Sequence, residues 1–421
     1  MTESILSGQE IRYRQSNCQV CGCPNLENVL DLGYQPLCNE FLPADQPIRS
    51  LTFHPLNLCY CPECSLVQLD YVIPTEFMFG DQFSYLTGAS RSLVEYFTHL
   101  AGRLVDKFQL KPGDIVIDIG SNDGTFLKAF KSLGMQVLGI EGSSKSSDVA
   151  LASEIPTLVG FFGPGSAKAV KDLLPSNGQI RLITAMNVLA HTDNINEFLP
   201  EVVDLMGPNT VFVSQSHWLV ELIRKFEFDT IYHEHLRYYT LGSLANLFKR
   251  HELRIAEAES SDIYGGSIVV YASKSASSQS DAPLPLLEQE KEMDIPESIR
   301  SMKRVLLSNK ARLISLLVDL KLSGKRIVGV GAPMKASTLL NFYGINSDLI
   351  DYVAEVNQLK IGTVVPGVRV PVVDEDLMFQ DQPDYALLLT WNMANTIIPK
   401  YRSAGYTGKF ILPVPQVEVL E

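Results

Sequence analysis

The pattern of apolar and polar residues changes along the chain. Up to about residue 75, Cys, Pro and Gly interrupt every short apolar run and no period is sustained. Beyond residue 90, amphipathic helical stretches alternate with short apolar runs at 114–120, 135–141, 180–188 and 210–216. This alternation predicts a mostly parallel sheet covered by helices.

The first α/β pattern ends at about residue 273, and a second one occupies the last third of the chain. Apolar runs at 253–260 and 267–273 predict an antiparallel pair that completes the first sheet. Residues 274–285 are rich in Ser and Pro, which is typical of a linker. The remaining predicted elements are a long amphipathic helix at about 290–322, a strand, glycine turn and helix at 324–337, and strands at 350–356 and 383–391.

These patterns predict an α/β protein of three domains. A length of 421 residues is enough for two or three hydrophobic cores. The expected domains are a small cysteine-rich domain at 1–75, a central parallel-sheet domain at 76–273 and a second, smaller α/β domain at 286–421.

Composition narrows the possible functions. No apolar run approaches the roughly 18 residues that a membrane helix needs, and the N-terminus has no signal-peptide pattern, so we expect no membrane partner and a cytoplasmic location. A net charge of −13 and a pI near 5.1 argue against a nucleic-acid partner. A small anionic substrate, held by a few local donors, is compatible with this charge.

All seven cysteines lie within the first 64 residues. Because cytosolic proteins rarely form disulfides, a metal site explains this clustering better than disulfide bonds do. Two C-x-x-C pairs together offer four thiolates, enough for a tetrahedral zinc site without an open position for catalysis. The predicted ligands are Cys18, Cys21, Cys61 and Cys64.

The other cysteines leave alternatives open. Cys23 and Cys59 are close enough in sequence to replace one of the four ligands, and Cys38 is interpreted as a small buried apolar residue. Free or redox-active thiols are the alternative to zinc.

A glycine-containing turn follows the first predicted strand of the central domain. Gly at a strand-to-helix turn lets the backbone approach a ligand, and Glu141, one strand later, can hold ribose hydroxyls. The turn departs from the dinucleotide form G-x-G-x-x-G and has an acid before it, a combination typical of S-adenosylmethionine sites. An ordinary tight turn is the alternative. The predicted cofactor-binding residues are Asp118, Gly120, Asn122, Asp123, Gly124 and Glu141.

The segment 232–239, Y-H-E-H-L-R-Y-Y, concentrates groups that transfer protons. His235 can act as a base near neutral pH, Tyr232 can donate or relay a proton, and Glu234 can fix the tautomer of a histidine. The alternative is a solvated polar helix start. His191 follows a predicted parallel strand, at the sheet edge where α/β folds bind ligands, although an isolated histidine there is often structural.

The glycine turn of the last domain, G-V-G-A-P-M-K at 329–335, could hold a phosphate group through backbone N–H groups. Lys335 would supply a countercharge. A single glycine turn of this kind is weak evidence for a second nucleotide cofactor.

Ordered motifs along nearly the whole chain resemble the sugar C-methyltransferases of deoxysugar biosynthesis. That family carries an N-terminal zinc-binding domain, a central class I Rossmann-like methyltransferase domain and a C-terminal Rossmann-like domain. The matching motifs are C-x-x-C with C-P-E-C-S-L-V-Q, F-S-Y-L-T-G-A-S, D-I-G-S-N-D-G, N-V-L-A-H, Y-H-E-H-L-R-Y-Y, Y-G-G-S, G-V-G-A-P-M-K-A-S and L-L-L-T-W-N.

The resemblance implies roles for these motifs. The four cysteines would bind zinc, and the 118–124 turn with Glu141 would bind S-adenosylmethionine. The sugar would lie among Tyr85, His191, Tyr232, Glu234 and His235. Apart from the resemblance, Tyr264 and Lys335 are predicted as further substrate contacts. The chain departs from the pattern at Cys38 and Thr390, where small or apolar residues are expected, and at Glu355, where Asp is more usual.

The implied reaction is methylation at C3 of a nucleotide-linked 4-keto-deoxysugar. A ketone at C4 acidifies the C3 hydrogen, so a base could remove it and the resulting enolate could attack the methyl group. His235 and Tyr232 are both candidates for the base, and the nucleotide end is assigned to the C-terminal domain. The alternatives are a sugar O-methyltransferase and a zinc-containing binding module without catalysis. The sequence leaves open dTDP or GDP, the sugar epimer, the stereochemical course and the oligomeric state.

Overall fold

The computed structural model describes residues 13–46, 51–78, 85–175, 178–274 and 285–421. Most of the predicted linker and the first two residues of the F-S-Y-L-T-G-A-S motif lie outside these ranges. No helix within them is both long and apolar enough to span a membrane.

The N-terminal unit is a small antiparallel sheet. Its order is β1-β3-β4-β10, and the fourth strand comes from the middle of the chain. All three residues of β4 are buried, so the sheet has a core in spite of its size. The elements are β1 (Glu27–Gln35), β2 (Leu42–Pro43), β3 (His54–Tyr60), β4 (Val67–Leu69) and the short helix α1 (Thr75–Met78).

The central unit contains a seven-stranded sheet. In chain order its elements are a 3-10 turn (Thr87–Ala89), α2 (Arg91–Lys107), β5 (Ile115–Ile119), α3 (Thr125–Ser132), β6 (Gln136–Glu141), α4 (Ser144–Ala152), β7 (Thr157–Val159), α5 (Ser166–Leu173), β8 (Ile180–Met186), α6 (Ile195–Leu205), β9 (Val211–His217), α7 (Leu219–Arg224), a 3-10 turn (Phe228–Thr230), β10 (Arg237–Tyr238), α8 (Leu241–Arg250), β11 (Arg254–Ser261), a 3-10 turn (Ile263–Gly265) and β12 (Ser267–Ser273).

The strand order of this sheet is β11-β12-β9-β8-β5-β6-β7. Strands β5 to β9 are parallel, whereas β12 runs antiparallel to β9 and β11. Every residue of β5 is buried, as expected of a central strand covered by helices on both faces. The predicted parallel strands and the closing antiparallel pair are therefore confirmed, and the carboxyl ends of the parallel strands form one edge.

The C-terminal unit is a six-stranded, mostly parallel sheet of order β16-β14-β13-β17-β18-β19. A separate two-residue pairing joins β15 to β2 of the N-terminal unit. The elements are α9 (Pro285–Lys291), α10 (Ile295–Leu322), β13 (Ile327–Val330), α11 (Met334–Tyr343), β14 (Val353–Glu355), β15 (Thr363–Val364), β16 (Val372–Asp374), α12 (Glu375–Asp381), β17 (Tyr385–Leu388), a 3-10 turn (Trp391–Met393), α13 (Ala394–Ser403), β18 (Lys409–Leu412) and β19 (Glu418–Leu420).

The helix predicted at about 290–322 is two helices. The chain breaks at Asp294, whose side chain accepts a hydrogen bond from the backbone N–H of Glu297 and so caps the start of α10. The shorter helix α9 contacts the central unit, because Glu290 accepts hydrogen bonds from Trp218 Nε1 and from the backbone N–H of Leu241.

The C-terminal unit packs on the loop between β9 and β10. Trp391 Nε1 donates to the buried carboxylate of Asp229 at 2.7 Å. Thr338 Oγ1 donates to the backbone carbonyl of Ile231 at 3.1 Å. The loop that carries the Y-H-E-H segment is thus held between the N-terminal and C-terminal units.

Candidate active site and zinc centre

Four cysteine side chains from two loops of the N-terminal unit converge on one point. Their sulfur atoms lie within 4.8 Å of one another, and the Cys18–Cys64 and Cys21–Cys61 Sγ–Sγ distances are both 3.5 Å. This spacing suits four thiolates around one ion at roughly 2.3 Å each. The donor set fits structural zinc, which would contribute folding energy and has no open coordination position. Among the described residues, Cys23 and Cys59 do not join the group.

One large cavity lies at the carboxyl edge of the central sheet. It has a volume of about 1680 Å³ and is lined by the central and C-terminal units together. A pocket for one small ligand is typically about 300–1,000 Å³, so this cavity has room for two. The glycine turns of both units, at Gly120 and Gly331, reach its wall.

The central glycine turn forms one end of this cavity. Gly120 adopts a φ of +69°, and a Cβ there would lie 2.5 Å from Val188 Cγ2, so only glycine fits. Glu141, at the end of β6, accepts hydrogen bonds from the backbone N–H groups of Asn122 and Ser143 at 2.8 and 2.7 Å. Its carboxylate keeps acceptor capacity for ribose hydroxyls, because each oxygen has two lone pairs.

Asp118 stands at the bottom of the same turn. Its Oδ1 accepts a hydrogen bond from Thr184 Oγ1 at 2.5 Å, and the residue lines the cavity. Burial raises the pKa of this carboxyl to about 7, and the nearby Glu141 carboxylate adds to the rise. A cationic ammonium group would stabilise the ionised form of Asp118, so this pair of acids fits the S-adenosylmethionine that the turn predicts.

Two predicted cofactor residues are not on the cavity wall. Asp123 turns away and accepts hydrogen bonds from the backbone N–H of Gly88 at 2.7 Å and from the Thr125 hydroxyl at 2.6 Å. Gly124 packs against Ile155, with 3.1 Å between that side chain and a Cβ built on the glycine. Both residues hold the turn in place from behind, and their direct contact with the cofactor stays a prediction.

Three histidine rings meet on the cavity wall. The His235 ring centroid lies 4.9 Å from that of His191 and 5.0 Å from that of His217. His235 Nδ1 is 2.8 Å from the backbone carbonyl of Thr230. Because a carbonyl only accepts, Nδ1 carries the proton and Nε2 is the basic nitrogen. Burial and the two neighbouring imidazoles hold the pKa of His235 well below its usual range.

Tyr232 and Glu234 make different contacts. The Tyr232 ring stacks on the His235 imidazole at a centroid distance of 4.1 Å. The Glu234 side chain accepts a hydrogen bond from Cys38 Sγ at 3.5 Å. The interpretation that Glu234 orients His235 is therefore wrong, because the Thr230 carbonyl does so. Burial raises the pKa of Glu234 to about 7.

The Y-H-E-H-L-R-Y-Y segment is neither a solvated helix start nor a helix at all. It is a buried loop that ends in β10, whose two residues pair with β4 of the zinc-binding sheet. The buried guanidinium of Arg237 donates hydrogen bonds to the backbone carbonyls of Leu189, Thr192 and Asp193. Arg237 thereby fixes the loop that carries His191 next to His235.

Tyr85 and Tyr264 also line the cavity. Their hydroxyl oxygens are 3.2 Å apart. Tyr264 also faces His217, with 6.3 Å between ring centroids. The predicted sugar residues Tyr85, His191, Tyr232, Glu234 and His235 therefore reach a common wall.

Lys335 brings a positive charge to the wall from the C-terminal unit. Its Nζ lies 2.9 Å from Asn392 Oδ1, 3.7 Å from Asp229 Oδ2 and 4.5 Å from the centre of the Trp391 ring. Since Asp229 compensates part of this charge, Lys335 is less free to attract an anion than the sequence suggests.

Sequence reasoning missed three residues of the cavity wall. His217 ends β9 at the carboxyl edge, so the rule that selected His191 could have found it. Lys360 donates to the backbone carbonyl of Ala332 at 2.6 Å, and Glu227 lies beside Gly265, but neither belongs to a recognisable motif. Cys38 is buried as predicted, but its contact with Glu234 was not foreseen.

Comparison with known proteins covers all three units. Family models match a zinc-binding domain at 18–79, a methyltransferase domain at 93–258 and a C-methyltransferase C-terminal domain at 262–415. The C-methyltransferase NovU of Streptomyces niveus is 31% identical over an alignment of 421 positions that covers 98% of each chain.

Two solved methyltransferase structures each overlap with less than half of the chain. The CcbJ methyltransferase of Streptomyces caelestis is 15% identical, with a TM-score of 0.34 over 43% of this chain and 90% of that one. The magnesium protoporphyrin IX methyltransferase of Synechocystis with bound SAH is 15% identical, with a TM-score of 0.33 over 43% and 83%. Similarity this low carries no argument about function.

The sheet order, the glycine turn with its two acids and the methyltransferase family model together identify a Rossmann-like, S-adenosylmethionine-dependent methyltransferase unit. The four-cysteine group and the zinc-binding family model identify the N-terminal unit as its zinc-binding domain. The family expected from the motifs is confirmed: the chain belongs to the C-methyltransferases that join these domains to a C-methyltransferase C-terminal domain.

Proposed function

We propose that the protein methylates C3 of a nucleotide-linked 4-keto-deoxysugar, with His235 as the base. The observation that carries this proposal is the state of His235: a buried, neutral imidazole on the cavity wall whose Nδ1–H is engaged by the Thr230 carbonyl. Nε2 is then the nitrogen that can accept a proton. A base held in one tautomer suits removal of a hydrogen from the carbon beside a ketone.

His235 is a better base than Tyr232. Burial raises the pKa of the Tyr232 phenol well above its usual value, so the phenol stays protonated at neutral pH. A protonated phenol stacked on the imidazole can donate a hydrogen bond to a substrate oxygen. Tyr232 would therefore assist, together with Tyr85 and His191, by stabilising negative charge on the enolate oxygen.

The proton and electron balance of the step is simple. The C3–H bond breaks, its proton moves to His235 Nε2, and the electron pair delocalises onto the oxygen at C4. S-adenosylmethionine, which would be held at the turn of Gly120, Asn122 and Glu141, would supply an electrophilic methyl group: the enolate electron pair would form the C3–CH3 bond as the S–CH3 bond breaks, the C4 ketone would re-form, and S-adenosylhomocysteine would leave. The wall residues would position C3 next to that methyl, and proximity of this kind contributes several orders of magnitude to the rate.

The C-terminal unit would hold the nucleotide end of the substrate. Its contribution to the cavity wall includes Lys335, Lys360 and Lys400, three cations suited to a diphosphate. The three-domain boundaries and the assignment of Lys335 and Tyr264 to substrate binding remain part of this proposal. A sugar O-methyltransferase is less well supported, because the relative covering nearly the whole chain is named a C-methyltransferase.

The proposal is tested by supplying the protein and S-adenosylmethionine with dTDP- and GDP-linked 4-keto-deoxyhexoses. A mass gain of one methyl group, with the new carbon bonded to ring C3 in the carbon NMR spectrum, is expected for at least one sugar. A methyl bonded to oxygen would identify an O-methyltransferase instead. Absence of methyl transfer to every sugar would contradict the proposed substrate class.

A further inference from the structure

Glu227 is a buried carboxylate on the cavity wall that no motif predicted. It follows α7 and is only 4% exposed. Its carboxylate lies directly on Gly265, where a Cβ would come within 2.3 Å of Oε1. Absence of a side chain at Gly265 therefore leaves the space that the carboxylate occupies.

One oxygen of this carboxylate lacks a hydrogen-bond partner. Glu227 Oε1 is buried and has no donor among the residues that the structure describes. A buried acceptor without a donor is destabilising, so a ligand that supplies a donor here would recover that free energy. Asp229, two residues later, also has an oxygen without a partner, but it is not on the cavity wall and accepts from Trp391 through its other oxygen.

The position of Glu227 separates it from the cofactor end. The turn that holds the cofactor follows β5, and Glu141 ends β6, whereas Glu227 comes after β9, two strands away on the other side of β5. Glu227 and Gly265 adjoin Tyr264, whose ring faces His217 in the histidine cluster. Its ligand is therefore expected to be part of the substrate and not of the cofactor.

The charges around Glu227 indicate what kind of donor it would bind. Burial raises its pKa to about 7, and Lys335 and Lys225 lower it, while Asp229 and Glu221 raise it. Two lysines disfavour a cationic ligand. A neutral hydroxyl group needs only a free acceptor, which Glu227 Oε1 provides.

We propose that Glu227 is a specificity-determining residue that accepts a hydrogen bond from the C2 hydroxyl of the hexose, the hydroxyl on the carbon next to the reacting one. This inference rests on the proposed function for the identity of the sugar. The enzyme would then prefer hexoses that keep this hydroxyl over their 2-deoxy counterparts.

Calorimetry tests the contact without requiring turnover. The dissociation constants of dTDP- and GDP-linked 4-keto-6-deoxyhexoses, each with and without the C2 hydroxyl, are measured in the presence of S-adenosylhomocysteine. Glu227→Ala should weaken binding of the hydroxylated sugar about 10- to 100-fold, the range for a hydrogen bond to a charged group. Binding of the 2-deoxy sugar should be unchanged. Glu227→Gln preserves the shape of the side chain and should weaken binding of the hydroxylated sugar less.

Glu288→Gln is the matched control. This acid is on α9, pairs with Lys291 and is not on the cavity wall. It should leave both dissociation constants unchanged. Equal weakening of both sugars by Glu227→Ala and Glu227→Gln, or of neither, would overturn the inference.

The outcomes also separate this inference from the proposed function. Wild-type protein that binds the hydroxylated sugar through Glu227 but transfers no methyl would contradict only the proposed function. Methylation with unchanged affinities in both Glu227 variants would contradict only the role of Glu227. Failure to bind any of the sugars would overturn both.

Discussion

The two glycine turns that face the cavity are built alike but are equipped for different chemistry. In the central unit, Glu141 ends the second strand and accepts the backbone N–H of Asn122 in the turn. In the C-terminal unit, Glu355 ends the equivalent strand and accepts the backbone N–H of Ala332 in its turn, at 2.6 Å. An acid at the end of the neighbouring strand thus holds each turn.

The side chains around the two turns differ. The central unit supplies the second acid, Asp118, and the imidazoles of His191, His217 and His235, whereas no histidine occurs after His251. The C-terminal unit supplies lysines to the wall, among them Lys335. The same backbone arrangement can therefore serve cofactor binding and proton transfer on one side and anion binding on the other, because the surrounding charges decide the ligand.

The largest expected effect comes from the zinc-binding unit, which pairs with the histidine loop of the central unit through β4 and β10. The wild type should bind about one equivalent of zinc, and a Cys61→Ser, Cys64→Ser double variant should lose it together with much of its solubility, because structural zinc contributes about 10–16 kcal/mol to folding. Elemental analysis and thermal denaturation measure both. Full zinc content in this variant would place the ion elsewhere, with Cys23 and Cys59 as the next candidates.

The next largest effect concerns proton transfer in the central unit. His235→Asn should lower kcat roughly 10²–10⁴-fold, the usual contribution of a general base, and leave S-adenosylmethionine affinity nearly unchanged. Steady-state kinetics and calorimetry separate these quantities. His251→Asn is the control, since this histidine bonds Asn196 away from the cavity. A variant at position 235 with wild-type kcat would remove the imidazole from the chemistry.

Substitution of Glu141 and Glu355, the acids that hold the two glycine turns, tests whether the turns bind different ligands. Glu141→Gln should weaken S-adenosylmethionine binding by about 1.5–3 kcal/mol, because the ribose loses a charged acceptor. Glu355→Gln, the matched change in the other turn, should leave that dissociation constant within error. Equal weakening of S-adenosylmethionine binding by both substitutions would show that the two turns do not bind different ligands.

The smallest expected effect is at Lys335. Asp229 already compensates part of the charge of Lys335. Lys335→Met should therefore weaken binding of the sugar nucleotide by only ~1 kcal/mol, roughly fivefold, without changing cofactor affinity. Lys325→Met is the control, since Lys325 pairs with Asp384 outside the cavity. A loss of cofactor affinity in Lys335→Met would contradict the assignment of this lysine to the substrate.

Local patterns were enough to predict much of this molecule. The two C-x-x-C pairs, the parallel strands and the glycine turns each depend on residues near in sequence, and each is present. The break at Asp294 was missed because an amphipathic period continues through it, while the Asp294 side chain caps the start of the second helix.

Contacts between distant segments could not be predicted in the same way. Glu234 and Cys38 are 196 residues apart, and only the packing of the N-terminal unit on the central loop brings them together. In this packing, Glu234 contacts Cys38 and not His235, and the Thr230 carbonyl orients the imidazole of His235. The direction of the Asp123 side chain likewise depends on a distant partner. Its carboxylate accepts a hydrogen bond from the backbone N–H of Gly88, which lies 35 residues earlier in the sequence.

The central claim, that His235 removes the proton next to the ketone, is tested most directly by hydrogen exchange. The protein is incubated in heavy water with S-adenosylhomocysteine and a 4-keto-deoxysugar nucleotide, and loss of the C3 proton signal is followed by NMR. We predict exchange in the wild type and in Tyr232→Phe, and none in His235→Asn. Exchange that persists in His235→Asn but stops in Tyr232→Phe would contradict the account and make the phenol the base.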